Sequence, residues 1–269
     1  MRRDLNLDRV SFAAVLWALA LMGIALLLLP TLVVIIVSFT SGFSLRFPPT
    51  GYSFRWYAAL LDAWQLHFAA ANSFKVALWT TALSVVLGVA AALAIARSER
   101  AMARVLDSVF MSPLVLPALA FGLASLIYFS LIGFPISLAT LVVGHTVVCV
   151  PYVLRTTVAA LAQLNPTLLE SSASLGASRW YTFRRITFPL IRPGILAGAF
   201  IAFMSSFDNV PVSLFLRDAR TDMLPIRMWQ DLEGKLDVTI AAVSGVMIAL
   251  TILALIVMER VAGLSRRIR

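Results

Sequence analysis

One acidic residue, Asp208, lies inside a long apolar run, followed closely by Asn209 and Pro211. A charge in hydrocarbon costs several kcal/mol, so such residues usually face a cavity or a solute path. Pro211 has no amide hydrogen and leaves the carbonyl one turn earlier unpaired, which kinks a helix. Two interpretations follow. Either Asp208, Asn209 and Pro211 line a translocation pathway, or Asp208 or Asn209 only caps a broken helix.

A second polar side chain, His145, lies in another apolar run. An imidazole in this setting either binds a proton or a substrate, or bonds to a neighbouring helix. The sequence alone favours the interhelical bond, because a lone polar residue without other ligands near it in sequence makes a poor binding site.

Motifs for enzymatic chemistry are absent from the sequence. It contains no G-x-x-x-x-G-K-[ST] loop for a nucleotide, no G-x-S-x-G elbow and no H-E-x-x-H zinc pair. Cys149 is the only cysteine, so an intrachain disulfide is impossible. We therefore expect a protein that is not an enzyme and that has neither a cofactor nor a metal site.

A polar segment at 164–189 separates two apolar runs and carries signals for a short helix. Pro166 and Thr167 favour a helix start, with Asn165 or Thr167 as the cap. Gly176 permits a turn or the close approach of another backbone. Pro189 and Pro193 are expected to end the segment.

Aromatic residues and arginines alternate in the second half of this segment, around Trp180 and Arg184. A helix with small residues, a glycine and exposed aromatics suits docking into a groove of a partner. An amphipathic helix lying on a membrane surface has a similar composition. The pattern by itself leaves both interpretations open.

The composition requires a lipid environment. Hydrophobic residues make up 61% of the 269 residues and charged residues 13%, against about half and a quarter in soluble domains. A soluble chain of this size has too much surface to hide so many apolar side chains. The net charge of +9 lies in short segments between apolar runs, which favours membrane topology over nucleic-acid binding.

Six stretches are long and apolar enough to cross a bilayer, which takes about 20 residues. Gly133 and Pro135 divide one uncharged region into a hairpin. The predicted fold class is an all-α integral membrane protein with a single transmembrane domain over 1–269. The predicted spans are 12–40, 76–96, 105–131, 136–158, 194–216 and 238–258.

The distribution of basic residues predicts the orientation. With both termini in the cytoplasm, 15 of the 22 Lys and Arg residues fall on the inside and 7 on the outside. Cytoplasmic loops of membrane proteins carry such an excess. The 164–189 segment is then cytoplasmic and lies between spans four and five.

The spacing within this segment resembles the EAA motif of binding-protein-dependent ABC importer permeases: Glu-Ala-Ala, three residues, Gly, nine residues and Ile-x-Leu-Pro. The matching residues here are Glu170-Ser171-Ser172, Gly176 and Ile186-Thr187-Phe188-Pro189. The departures are Ser171 and Ser172 for the alanines, and Phe188 for leucine. Three further segments resemble the transmembrane module of the same family: Asn72-Ser73-Phe74, Ala94-Ile95-Ala96-Arg97 and Pro113-Leu114-Val115-Leu116-Pro117. The segment from Ser206 to Ser213 resembles the acidic span-five motif of spermidine/putrescine-type permeases.

This resemblance implies a type I ABC importer permease with a coupling helix between spans four and five, in a bacterial inner membrane. It implies docking to the ATPase through the residues Glu170, Ser171, Ser172, Gly176, Ala177 and Arg179. The implied partners are two cytoplasmic ATP-binding subunits that hydrolyse ATP, a second, non-identical permease and an external solute-binding protein. Its implied substrate is a polyamine or related amine.

Three alternatives remain at this point. An ATP-independent secondary transporter or channel often has paired half-repeats, which this sequence lacks. A membrane scaffold would not need an intramembrane acid. Opines, amino-acid derivatives and ferric iron are alternative substrates, because an external binding protein does much of the selection in such importers.

Overall fold

The computed structural model describes residues 7–218, 220–235 and 238–262. These residues form helices and no β-strand, apart from an isolated antiparallel bridge between Thr40 and Tyr52. The helices are α1 (Leu7–Ser38), α2 (Arg55–Leu61), α3 (Trp64–Arg97), α4 (Arg100–Val115), α5 (Ala118–Leu131), α6 (Leu138–Ala162), α7 (Pro166–Ser174), α8 (Arg179–Thr182), α9 (Phe188–Phe207), α10 (Val210–Leu216), α11 (Leu224–Lys235) and α12 (Thr239–Ala262), with a π-helical turn at Phe183–Thr187. The predicted all-α fold class is confirmed.

Five helical segments of the described chain are long and apolar enough to span a membrane, and the bent pair of α4 and α5 brings the number to six. The α3 helix starts at Trp64, twelve residues before the predicted start at Val76. Its extra turns are less apolar than a bilayer core requires, so hydropathy alone does not include them. The N-terminal span, Phe12–Ser38, is only 6% buried within the chain, so its leucines are free to face lipid.

The predicted single span over 105–131 is wrong in shape. Two helices, α4 and α5, take its place and are bent by 99° relative to each other. Leu116 has an extended backbone with φ −73° and ψ 141°, as expected for a residue that precedes proline. Pro117 has no amide hydrogen with which to continue the α4 ladder.

The hairpin turn after α5 lies where Gly133 predicts it. Gly133 has φ +69°, and its amide donates to the carbonyl of Ser130 at 3.1 Å. The amide of Phe134 donates to the carbonyl of Phe129 at 2.9 Å. These two bonds form a Schellman motif, which ends a helix and needs a left-handed residue.

The described residues form two compact units, the first containing residues 7–63 together with 231–235 and 238–251. In the first unit an aromatic cluster follows α1, with the ring of Phe39 5.3 Å from that of Phe54 and 5.0 Å from that of Tyr57. The hydroxyls of Ser38 and Tyr57 lie 2.7 Å apart. The Arg55 guanidinium lies 4.0 Å from the centre of the Phe43 ring.

The second unit contains residues 64–218, 220–230 and 252–262 and is built on α3, α6 and α9, which pack against one another. Of these three helices, α6 is the most buried, with 61% of its apolar window inside the chain. A cluster of buried side chains includes its N-terminal half: Val76, Phe129, Leu141, Val142, Val212, Leu216, Met223 and Ile226. The α6 helix is therefore the element on which the neighbouring helices are positioned.

Several charges that predict the orientation lie outside the described residues. These are Arg2, Arg3, Arg266, Arg267 and Arg269. The cytoplasmic placement of both termini accordingly stays a prediction.

Candidate functional site

The second unit contains a break within 194–216, the region predicted as span five: the apolar segment long enough to cross a membrane is Arg179–Phe207, and it ends directly before Asp208. The α9 helix ends at Phe207 and α10 begins at Val210. Asp208 has φ −101° and ψ 19°, and Asn209 leaves the helical region with ψ 90°. Because Pro211 cannot donate an amide hydrogen to the carbonyl of Phe207, the helical ladder is interrupted here.

Asn209 caps the second half of the broken span. Its side-chain oxygen accepts a hydrogen bond from the amide of Val212 at 3.0 Å, the usual geometry of an N-cap residue. The amide of Asp208 still donates to the carbonyl of Met204 at 3.1 Å. The capping role therefore belongs to Asn209.

The carboxylate of Asp208 is left open by this arrangement. Asp208 is exposed. Within the described ranges, no donor makes a hydrogen bond or an ion pair with the carboxylate oxygens of Asp208. Asp208 directly follows an apolar segment long enough to cross a membrane, and an unpaired carboxylate next to hydrocarbon is unfavourable unless water or a cation reaches it. This group is thus available to a positively charged solute.

His145 joins α6 to both α9 and α10. Its Nδ1 lies 2.9 Å from the hydroxyl of Ser206 in α9, and its Nε2 lies 3.1 Å from the hydroxyl of Ser213 in α10. All three residues are fully buried. A hydroxyl both donates and accepts, so these serines satisfy either tautomer of the ring. The predicted interhelical role of His145 agrees with this geometry.

The short helix α10 is held tightly by its neighbours. Val212 and Leu216 are fully buried in the apolar cluster around α6. On the α5 side, a methyl group added to Gly122 would lie 2.7 Å from the carbonyl oxygen of Pro211. Only glycine permits so close an approach, so the start of α10 lies directly against α5.

The 164–189 segment forms a helix, a turn and a second helical start. Asn165 caps α7 by accepting the amide of Thr167 at 3.0 Å. At its end Gly176 has φ +76°, and its amide donates to the carbonyl of Ala173 at 2.9 Å. The amide of Ala177 donates to the carbonyl of Ser172 at 3.1 Å. Gly176 therefore ends α7 in a Schellman motif.

The expectation that Pro189 and Pro193 end this segment is wrong. Both lie in α9, Pro189 in its first turn and Pro193 further along. Proline is tolerated in a first turn, where the amide would have no partner. The π turn before it places the amide of Phe188 on the carbonyl of Phe183, so the chain continues helically from Arg179 to Phe207.

The proposed docking residues differ in accessibility. Glu170, Ser171, Gly176 and Arg179 are exposed, and Ala177 is half-buried. Ser172 is the exception, because it is buried and its hydroxyl lies 2.8 Å from that of Thr182. This bond joins α7 to α8, so the Ser172 hydroxyl shapes the loop and does not face outward.

A groove of about 640 Å³ runs along this loop, with Leu168, Leu175 and Tyr181 in its lining. Leu175 is 87% exposed and Trp180 66% exposed. Large apolar side chains exposed together mark an interaction surface.

The sequence did not predict two sets of contacts. Asn72 donates to the carbonyl of Asp222 at 3.1 Å, and Ser73 accepts the amide of Leu224 at 2.9 Å, which fastens the loop after α10 to α3. The serine partners of His145 were also missed. Their signal in the sequence is that both are polar residues in an apolar run, at the two ends of the Ser206–Ser213 segment and on either side of Asp208. Within the described residues, no cluster of three or more His, Cys, Asp or Glu could hold a metal ion.

Residues 84–269 match the family model described as "Binding-protein-dependent transport system inner membrane component". The chain is 25% identical over 239 residues to the spermidine/putrescine transport system permease protein PotC of Escherichia coli (strain K12), covering 88% of this chain and 90% of that protein. It is 30% identical over 213 residues to the putrescine transport system permease protein PotI of the same organism, covering 77% and 75%.

The fold is also similar to a solved structure. A chain from a bacterial ABC transporter involved in the import of the acidic polysaccharide alginate superposes with a TM-score of 0.71. The sequence identity is 17%, and the match covers 97% of this chain and 98% of the other. At this identity the likeness concerns the fold alone.

Proposed function

Because this chain belongs to the family of binding-protein-dependent transport system inner membrane components, we propose that it conducts a small amine across the membrane past Asp208. The chain is a permease of an ABC importer. We take the substrate to be a polyamine or a related amine, as the names of the relatives suggest. Membership in this family favours an ABC importer permease over an ATP-independent transporter and over a membrane scaffold.

One observation carries the choice of a cationic substrate. The carboxylate of Asp208 is exposed at a break whose cap is Asn209, so it has no structural task at that position. A cation that leaves bulk water loses hydration, and a carboxylate offsets part of that cost. A single carboxylate also permits release, whereas several acids would retain a polycation. Asn209 and Pro211 contribute by keeping the break open.

The cytoplasmic partner is an ATPase, and the EAA-like loop is its docking element. The supporting observations are the exposed side chains of Glu170, Ser171 and Arg179 and the exposed apolar surface at Leu175 and Trp180. An exposed apolar patch rimmed by charges suits a groove on a partner. In this proposal α7 and α8 form the coupling helix, and Ala177 and Gly176 provide the turn between them.

The complete importer contains two ATP-binding subunits, a second and non-identical permease, and an extracytoplasmic solute-binding protein. ATP hydrolysis belongs to the separate subunits. The chain lies in a bacterial inner membrane with both termini in the cytoplasm. The excess of basic residues on the predicted inner side supports this orientation.

The test of the substrate is ATP hydrolysis by the purified complex, reconstituted with its binding protein and stimulated by one candidate at a time. Putrescine and spermidine should stimulate hydrolysis. An opine, an amino-acid derivative or ferric iron should leave it at the basal rate. Stimulation by one of these three compounds, with none by the amines, would contradict the amine assignment.

A further inference from the structure

The break in span five needs a device that fixes its geometry. The α9 and α10 helices are joined by only two residues outside helices, Asp208 and Asn209. Apolar packing of Val212 and Leu216 holds α10 against its neighbours, but apolar contacts are not directional and do not by themselves set the angle between α9 and α10. Hydrogen bonds fix both distance and angle.

His145 is positioned to supply that fixed geometry. One of its nitrogens bonds to Ser206, two residues before Asp208, and the other bonds to Ser213, five residues after it. In an uninterrupted helix, residues seven apart stand about 10 Å apart along the axis. One imidazole serves both hydroxyls here, so a change in the angle or spacing of α9 and α10 separates one of them from the ring.

The ring is unsuited to direct contact with a solute. His145 has no exposed surface, and both of its nitrogens are already bonded. The neighbouring Gly144 lets α6 approach Leu216 and Val212 closely, since an added methyl group would lie 2.6 Å from Leu216 Cδ1. The imidazole thus acts through other groups.

We propose that His145 is a positioning residue for transport: by bonding Ser206 and Ser213 it holds the two halves of span five at the angle that presents the Asp208 carboxylate to the solute. This inference rests on the proposed pathway role of Asp208. Interhelical hydrogen bonds within membranes add little stability on average. We therefore expect His145 to contribute to the geometry of the break more than to the stability of the protein.

The experiment measures the KM and maximal rate of putrescine uptake by the reconstituted complex. His145→Leu should raise the KM about fivefold or more with the complex still assembled, whereas His145→Gln, which can donate and accept, should recover most of the loss. Ser206→Ala and Ser213→Ala should each raise the KM. Cys149→Ala is the matched control, because the Cys149 thiol donates from α6 to the carbonyl of Ala202 in α9 and, within the described residues, makes no hydrogen bond to α10; its KM should stay unchanged.

A double-mutant cycle decides whether His145 acts through Asp208. His145→Leu should add no further rise in KM to Asp208→Asn, because the effects of residues that act as a unit are not additive.

If Asp208→Asn raises the KM and His145→Leu does not, this inference fails and the pathway role stands. If Asp208→Asn is silent, the pathway role fails, and positioning through it fails as well. If Cys149→Ala raises the KM as much as His145→Leu does, any change in the packing of α6 has this effect, and the proposal is overturned. If the complex with His145→Leu does not assemble, Ser206→Ala and Ser213→Ala take its place, and the proposal fails if neither raises the KM.

Discussion

The side-chain oxygen of Asn209 accepts a hydrogen bond from the amide of Val212 at 3.0 Å. This bond separates the two interpretations of the neighbouring Asp208. The helix that follows the break has its cap, and the adjacent carboxylate is not part of it.

The first prediction concerns the charge of Asp208. Asp208→Asn keeps the size of the side chain and removes its charge. We expect amine uptake to fall about tenfold or more, equivalent to a loss of at least ~1.4 kcal/mol, with normal assembly. Uptake of radiolabelled putrescine by reconstituted complexes measures the effect.

The matched control for Asp208 is Asn209→Ala. It removes the cap of α10 and should cost about 1 kcal/mol of stability while leaving every charge in place. Its unfolding temperature should fall, whereas that of Asp208→Asn should stay at the wild-type value, which separates the loss of the cap from the loss of the charge. Uptake within about twofold of the wild type for Asp208→Asn would defeat the pathway role and weaken the case for a cationic substrate.

The second prediction concerns Pro211 and the break itself. Pro211→Ala restores an amide hydrogen that can bond to the carbonyl of Phe207, so the helix can continue through Asp208. We expect uptake to fall while stability is unchanged or increased. Pro193→Ala is the control, because Pro193 lies inside α9 without a break. Equal uptake by both variants would show that the break is not needed for transport.

The third prediction concerns Gly176 in the loop proposed to bind the ATPase. Its φ of +76° disfavours every residue with a Cβ, yet no other atom lies within 4 Å of the added Cβ position. Gly176→Leu should strain the turn by about 1–2 kcal/mol and reduce co-purification of the ATPase, with insertion into the membrane intact. Gly176→Asn tests the cause, since asparagine tolerates the left-handed region.

The two Gly176 variants separate backbone strain from contact with a partner. If strain dominates, the Asn variant should retain most of the ATPase and the Leu variant little. If a partner surface approaches Gly176, both variants should lose the ATPase. Wild-type recovery of the ATPase by Gly176→Leu would contradict both explanations.

The fourth prediction is the orientation. In a background of Cys149→Ala, the substitutions Ser44→Cys and Arg220→Cys should react with an impermeant thiol reagent added from outside, and Ser174→Cys should not. All three positions are exposed within this chain, and expression without the ATPase leaves Ser174 uncovered, so a failure to react then reports the side of the membrane. Labelling of Ser174→Cys in intact, outer-permeabilised cells would invert the topology and remove the loop from the cytoplasm.

The sequence alone indicated an all-α membrane protein with about six apolar segments, because the cost of burying charge in lipid leaves long uncharged runs in the chain. It also determined local features that depend on neighbouring residues only. The turn at Gly133 is of this kind. For α7 the sequence left Asn165 and Thr167 as possible caps and a turn or a close backbone approach at Gly176, and the structure has the cap at Asn165 and the turn at Gly176. The spacing of the EAA-like motif was enough to indicate the family.

Tertiary structure decided where the helices break and which residues surround the breaks. Pro113, Pro151 and Pro193 lie within continuous helices, whereas Pro117 and Pro211 adjoin breaks. A proline removes one hydrogen bond wherever it lies, and the contacts of the neighbouring helices determine whether the chain bends there. The α10 helix is fixed by Gly122 of α5 and by His145 of α6, which are distant in sequence. No local pattern in the chain contains those contacts, so only the folded structure could place the Asp208 carboxylate.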